Sequence, residues 1–256
     1  MSNSSISEFQ KSSFTATTRN GDSISHDVYT RGRGPQVVII QELPGIGVET
    51  LGLADKFIEQ GFSVTLPHLF GPIGSTNVGG NLLRVFCMRR EFSLFSQNQS
   101  SPIVDWLKAL CRDIKQQNQS EGVGVIGMCL TGNFAISLMG DESVLAAVAS
   151  QPAMPFLKQD ALHMSAAEIE SIKKNIDRTA PIKAYRFEKD WMSTTAKFKC
   201  LAASLNDDRQ RIDLTTIAGP GHSVLTLDFV DQQGHPTHTA LQEILQYFRN
   251  QLVVNG

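Results

Sequence analysis

Four side chains in this chain of 256 residues could together carry out acyl chemistry: the thiol of Cys129, the imidazole of His222 and the carboxylates of Asp190 and Glu42. A thiol becomes a strong nucleophile once a base takes its proton, and an imidazole held by an acid is the usual base. Cys129 stands in Gly127-Met128-Cys129-Leu130-Thr131-Gly132, between an apolar run from Val123 to Ile126 and a helix-like run from Phe134 to Met139. The first run reads as a buried strand. A strand that turns at once into a helix strains the backbone of the bend residue and needs small neighbours, here Gly127 and Gly132. The bend residue is then left above the end of a sheet, at a helix N-terminus, as in a nucleophile elbow. A lone cysteine after a strand is more often only a small buried hydrophobe, so the argument depends on the other three residues.

The elements that would position them follow from the pattern of the chain. Phe14–Thr18 and Ser25–Thr30 are short β-rich runs around Asn20-Gly21, a pair that predicts a type I′ hairpin. Gln36–Gln41 is a buried strand that ends at Glu42-Leu43-Pro44-Gly45. A helix over Thr50–Gln60 and a strand over Phe62–Leu66 follow, then a Gly-rich loop over Ile73–Gly80. Leu82–Phe95 has no clear periodicity. Pro102–Gln117 predicts a helix, with Pro102 suited to its first turn. Beyond the elbow come a strand over Leu145–Ala149 and a helix opened by the capping box Ser165-Ala166-Ala167-Glu168. A strand over Pro181–Phe187 ends near Asp190, a helix covers Thr194–Leu205, and a strand over Arg211–Ile217 runs towards His222. A last helix covers Thr237–Leu252. No linker or internal repeat divides the chain, so residues 1–256 are expected to form one α/β domain with a mostly parallel, doubly wound sheet and an N-terminal β-hairpin.

In such sheets the working residues lie past the carboxyl ends of the strands. Glu42, Cys129, Asp190 and His222 each follow a predicted strand, and the chain order of nucleophile, acid and histidine is that of the α/β-hydrolase fold. His222 would take the thiol proton and Asp190 would hold the ring. The backbone N–H groups of Leu130 and Leu43 would form an oxyanion hole. Each residue alone also has a plain structural reading, as a helix cap, a loop histidine or a loop acid. It is the joint placement at four strand ends that argues for chemistry.

These pieces resemble the dienelactone hydrolase family. The matching stretches are Gln41-Glu42-Leu43-x-Gly45, Pro67-His68-Leu69-Phe70-Gly71, Gly127-Met128-Cys129-Leu130-Thr131-Gly132, Phe187-x-x-Asp190 and Gly221-His222-Ser223. The resemblance spans most of the chain. It selects Asp190 over Asp207 and Asp208, which stand too near His222 to precede an intervening helix and strand. It implies a cysteine hydrolase of lactones or activated carboxylic esters that works through a thioester. It also implies that Glu42 assists thiolate formation, which makes sense only if Glu42 accepts a proton, because a neighbouring negative charge disfavours a thiolate. Two positions depart from the family pattern. Thr131 stands where the family has Gly, and its β-branch is expected to crowd the turn. Thr226 stands where the family has an arginine that binds a substrate carboxylate. Arg89, Arg90 and Ser223 remain as candidate substrate-binding residues.

Composition bounds the alternatives. Net charge is −2, with 23 basic and 25 acidic residues, so no basic field points to nucleic acid or an anionic membrane surface. No apolar run reaches the length of a membrane span, and the Ser- and Thr-rich start has no apolar segment of the signal-peptide kind. Cys87, Cys111, Cys129 and Cys200 are far apart, which argues against a zinc site or a disulfide framework. The expectation is a cytoplasmic hydrolase of a small-molecule ester or lactone that requires no metal and no cofactor. The alternative is a catalytically weak α/β-hydrolase-fold protein that binds a ligand or senses redox state through Cys129.

Overall fold

The computed structural model describes residues 5–74, 101–154, 161–162 and 164–253. Among them runs an 8-stranded sheet in the order β1-β2-β4-β3-β5-β6-β7-β8. The strands are β1 (Gln10–Thr17), β2 (Ser23–Gly32), β3 (Gln36–Ile40), β4 (Ser63–Pro67), β5 (Val123–Met128), β6 (Val144–Ser150), β7 (Ile182–Phe187) and β8 (Ile212–Ile217). From β4 through β8 every neighbouring pair is parallel, while β1 and β2 join as an antiparallel edge. The helices are α1 (Val48–Glu59), α2 (Pro102–Gln117), α3 (Leu130–Leu138), α4 (Ala166–Ile176), α5 (Thr195–Leu205) and α6 (Pro236–Leu252).

The apolar runs form strands because the sheet is covered on both faces. Val38 and Ile40 of β3 face a core shared with α2, α3 and α5, while Val37 and Ile39 face the core under α1 and α6. Alternate residues thus enter different layers, and both layers require apolar side chains. β3, β5 and most of β6 are buried along their whole length. The capping box at Ser165 is formed, with both reciprocal bonds to Glu168.

One expected local geometry is corrected. β1 and β2 separate at Thr17 and Ser23, so the hairpin loop spans Thr18 to Asp22. Gly21 has positive φ and Asn20 does not, whereas a type I′ turn needs both. The loop is closed by Gly21 N–H donating to Thr18 O and Thr18 N–H donating to Asp22 O. The segment over Leu82–Phe95, and with it Arg89 and Arg90, lies outside the described residues.

The parallel arrangement places the ends of β3, β5, β6, β7 and β8 side by side at one rim of the sheet. Glu42, Cys129, Asp190 and His222 follow four of those ends.

Candidate active site

The elbow is built by close packing between β5 and α3. A Cβ on Gly127 would lie 2.0 Å from the carbonyl oxygen of Thr131, so only glycine lets the helix start this near the strand. Cys129 bends between them at φ 58° and ψ −120°, a conformation that costs a residue with a side chain about 1–3 kcal/mol. Both sides of its peptide are tied to the neighbouring loop. Cys129 N–H donates to Ser150 O at 3.0 Å and Ala153 N–H donates to Cys129 O at 3.1 Å. The thiol is almost wholly buried at the head of α3.

Thr131 does not loosen this turn. It is fully buried, and its Oγ1 accepts from Met128 N–H at 2.9 Å. The one hydroxyl proton is shared among the carbonyls of Met128, Gln41 and Ile40, at 3.0, 3.1 and 3.2 Å. The branch therefore fills the gap between the elbow and the end of β3, where the hydroxyl satisfies backbone groups. The turn keeps its Gly132 N–H to Cys129 O bond at 3.1 Å.

Asp190 and His222 are brought together from the ends of β7 and β8. His222 Nδ1 lies 2.8 Å from Asp190 Oδ2. The other oxygen, Oδ1, accepts from the backbone N–H groups of Met192 and Ser193 at 2.8 and 3.0 Å. Asp190 is thus an anchored acceptor, which fixes the ring nitrogen that carries a proton towards it. The His222 loop is braced in turn by Asp228, whose Oδ2 accepts from His222 N–H at 2.7 Å and from Ser223 N–H at 2.9 Å. Burial alone would lower the basicity of His222. The hydrogen bond to Asp190, together with the nearby Cys129 and the charge of Asp190, outweighs it and pushes the imidazole up to about 10. Nε2 is buried and makes no hydrogen bond of good geometry among the described residues. The Cys129 sulfur is near enough to raise the basicity of the ring.

Asp207 and Asp208 are elsewhere. Both pair with the buried guanidinium of Arg211, which also makes a two-pronged bond to Asp177 at 2.7 and 3.0 Å. They belong to a structural ion-pair cluster at the start of β8.

Glu42 reaches the same rim but its partners are neutral groups. Thr226 Oγ1 donates to Oε1, Ser223 Oγ donates to Oε2 at 3.1 Å, and Gln151 Nε2 donates to Oε2 at 3.2 Å. None of these bonds involves Cys129. Burial pushes the carboxyl up from its usual range, against the pull of those donors and of His222. Thr226, at the position where the resemblance implies an arginine, therefore holds Glu42, and so does Ser223. Leu130 follows Cys129 at the start of α3 and Leu43 follows Glu42 past β3, and the N–H groups of both are given to no other described group. The two loops that carry this rim touch closely, since a Cβ on Gly71 would lie 1.6 Å from Pro44 O.

Gln151 and Asp228 are the site's neighbours that the sequence reading passed over, and for Thr131 it foresaw crowding where the structure shows hydrogen bonds. For Gln151 a signal existed, because it is a polar residue directly after a buried strand and before Pro152. The strand-end rule that picked out Glu42 and Asp190 applies to it equally. Among the described residues no group of three or more potential metal ligands converges, and no helix is long and apolar enough to cross a membrane.

The sheet order and the strand–turn–helix elbow define an α/β-hydrolase fold. Solved structures that share it include the following three. An esterase of Pyrococcus furiosus superposes with a TM-score of 0.61 at 13% identity, covering 97% of this chain and 93% of its own. A cold-adapted esterase from an Arctic intertidal metagenomic library gives 0.61 at 11% identity, covering 96% and 95%. A dienelactone hydrolase-like promiscuous phosphotriesterase from metagenomic libraries gives 0.65 at 13% identity, covering 95% and 99%. A search of curated proteins returned no match. Residues 25–252 match the dienelactone hydrolase family, and the chain belongs to that family. It is accordingly a hydrolase of ester bonds.

Proposed function

We propose that the protein is a cysteine-dependent hydrolase of small carboxylic esters or lactones, in which Cys129, His222 and Asp190 act as a triad. The observation that carries this reading is the 2.8 Å contact between His222 Nδ1 and Asp190 Oδ2, made beside the strained elbow of Cys129. His222 Nε2 takes the thiol proton, and the sulfur attacks the carbonyl carbon of the substrate. The oxyanion that forms is held by the N–H groups of Leu130 and Leu43. The carbonyl re-forms as the C–O bond to the leaving alkoxide breaks, and the imidazolium gives that alkoxide its proton. In a lactone the leaving alkoxide stays tethered to the acyl group. His222 then deprotonates a water that attacks the thioester, and the thiol is regenerated with release of the acid.

Asp190 keeps the ring oriented throughout and stabilises the imidazolium. Glu42 enters this scheme as an anchor of the His222 loop, because its oxygens accept bonds from Thr226, Ser223 and Gln151. A substrate without its own charge suits this rim, where the Thr226 hydroxyl is already engaged by a carboxyl.

The test is a pre-steady-state measurement with p-nitrophenyl acetate. A burst of p-nitrophenol stoichiometric with enzyme, absent in Cys129→Ala, is the expected result. Full turnover by the alanine variant would overturn the assignment.

A further inference from the structure

Gln151 follows the last residue of β6 and is fully buried. Its φ is 37°, in the left-handed region that disfavours residues with a side chain. Glycine would sit there without strain, so the value of the glutamine must lie in its side chain. That side chain makes a closed ring of hydrogen bonds across three strand ends. Nε2 donates to Glu42 Oε2 at 3.2 Å, past the end of β3. Oε1 accepts from the backbone N–H of Val224 at 3.3 Å, two residues beyond His222, and from the hydroxyl of Ser150. Ser223 closes the ring through its 3.1 Å bond to the same Glu42 oxygen.

An amide is suited to this place for a chemical reason. The carboxylate of Glu42 can only accept when ionised, and the Val224 N–H can only donate. One group must therefore offer a donor on one side and an acceptor on the other. The two partners also fix which end of the amide is oxygen. The backbone around Gln151 holds the elbow at the same time. Ser150 O accepts from Cys129 N–H, and Ala153 N–H donates to Cys129 O. Gln151 N–H is itself anchored on Tyr185 O at 2.7 Å. Gln151 is thus the short hydrogen-bonded path from the sulfur-bearing elbow to the loop that carries the imidazole.

We infer that Gln151 is a positioning residue, which holds the His222 loop and Glu42 in register with the Cys129 elbow. The inference rests on the reading of Cys129 and His222 as the reacting pair. The titratable groups on the elements that this network joins are Glu42 past β3, Cys129 on the elbow, Tyr185 on β7, Asp190 past β7, and His222 and Asp228 past β8.

The experiment uses the full chain and three variants. Gln151→Met keeps length and loses both polar functions, Gln151→Glu keeps shape and the acceptor, and Gln151→Gly relieves the backbone while removing the side chain. The readouts are kcat and KM on p-nitrophenyl acetate, the rate of Cys129 alkylation by iodoacetamide across pH, and thermal unfolding. For Gln151→Met and Gln151→Gly, kcat is expected to fall by roughly tenfold or more with KM little changed, and alkylation near neutral pH to slow in parallel. The glycine variant is expected to do so while remaining folded. Gln151→Glu places two carboxyls around one shared proton, so its activity is expected to hold on the acid side and fall as that proton leaves, a limb absent from the wild type. Wild-type kcat and alkylation profiles in both Gln151→Met and Gln151→Gly would overturn the inference. So would losses no larger than the unfolded fraction. Cys129→Ala run in parallel separates the two claims. Turnover by that variant sinks the triad, while alkylation of the Gln151 variants needs no turnover and judges the positioning role by itself.

Discussion

The hydroxyl of Thr131 lies 3.1 Å from the carbonyl oxygen of Gln41, 90 residues away in the chain. It joins the first turn of α3 to the residue that precedes Glu42 and Leu43. The two N–H groups proposed for the oxyanion hole belong to these two segments, one at Leu130 and one at Leu43. Their relative placement therefore depends on a side chain whose branch the family pattern would exclude.

Thr131→Val should be destabilising by about 1–3 kcal/mol, since it leaves the Met128 N–H without its buried acceptor. Valine has nearly the same shape, so lost packing does not enter. Thr131→Ser should restore most of the stability and most of kcat, because it keeps the hydroxyl. Denaturant unfolding and steady-state kinetics on the three proteins check this. Equal stability of the valine variant would show that the hydroxyl bonds are dispensable.

Cys129→Ala should abolish ester hydrolysis and leave the fold intact. The thiol is small, so little packing is lost on truncation, whereas no second nucleophile stands at the elbow among the described residues. Circular dichroism and the burst assay together separate loss of chemistry from loss of structure.

Asp190→Asn should lower kcat by about 10²–10⁴-fold, because the amide leaves His222 in the wrong tautomer. Asp208→Asn should leave kcat unchanged. Its exposed carboxylate pairs with the buried guanidinium of Arg211, away from His222. Reversed sensitivities of the two variants would move the acid from the end of β7 to the loop before β8.

The pH dependence of stability tests the burial of Glu42. Its carboxyl in the folded chain is held above the 4.5 of an ordinary glutamate, chiefly by desolvation. Between that value and the raised one, the unfolded chain has lost the proton while the folded chain keeps it. Stability from this group therefore falls as pH rises through the window and stays lowered above it. Glu42→Gln removes the titration and fits the same partners, with the hydroxyl of Thr226 turned to accept. The difference in unfolding free energy, variant minus wild type, should grow in favour of the variant as pH rises above 4.5. A difference that stays flat with pH would mean that Glu42 ionises as freely folded as unfolded.

The strands and helices that carry the site were legible because burial on both faces leaves a period and a length in the sequence. Pro102–Gln117 is helical over the predicted span, and Val123–Met128 extends the predicted strand by two residues to the elbow. Cys129, Asp190 and His222 were readable from one rule, that polar groups past parallel strand ends share a rim. What escaped was the wiring among them. The bond from Thr131 to Gln41 and the ring through Gln151 join residues that no local pattern relates. Hydrogen bonds between distant loops depend on register and rotamer, and neither has a period. The hairpin turn was misread for the same kind of reason, because Asn-Gly fits more than one loop and the pairing of the flanking strands decides between them.

The last prediction concerns substrate charge. A buried substrate carboxylate needs a charge-assisted partner. At the position where the resemblance implies an arginine, the hydroxyl of Thr226 donates to Glu42 and is already spent. A substrate carboxylate placed there would meet a second carboxyl, which is repulsive once both are ionised. The remaining candidates, Arg89 and Arg90, lie outside the described residues. The protein should therefore favour neutral esters or lactones. For a carboxylated lactone and its methyl ester, the ratio of kcat/KM should stay below roughly tenfold in favour of the acid, about 1.4 kcal/mol of transition-state binding. A larger ratio would reveal an anion clamp. Arg89→Ala and Arg90→Ala would then identify the residue that forms it, through the variant in which the ratio collapses while kcat/KM on the methyl ester is kept.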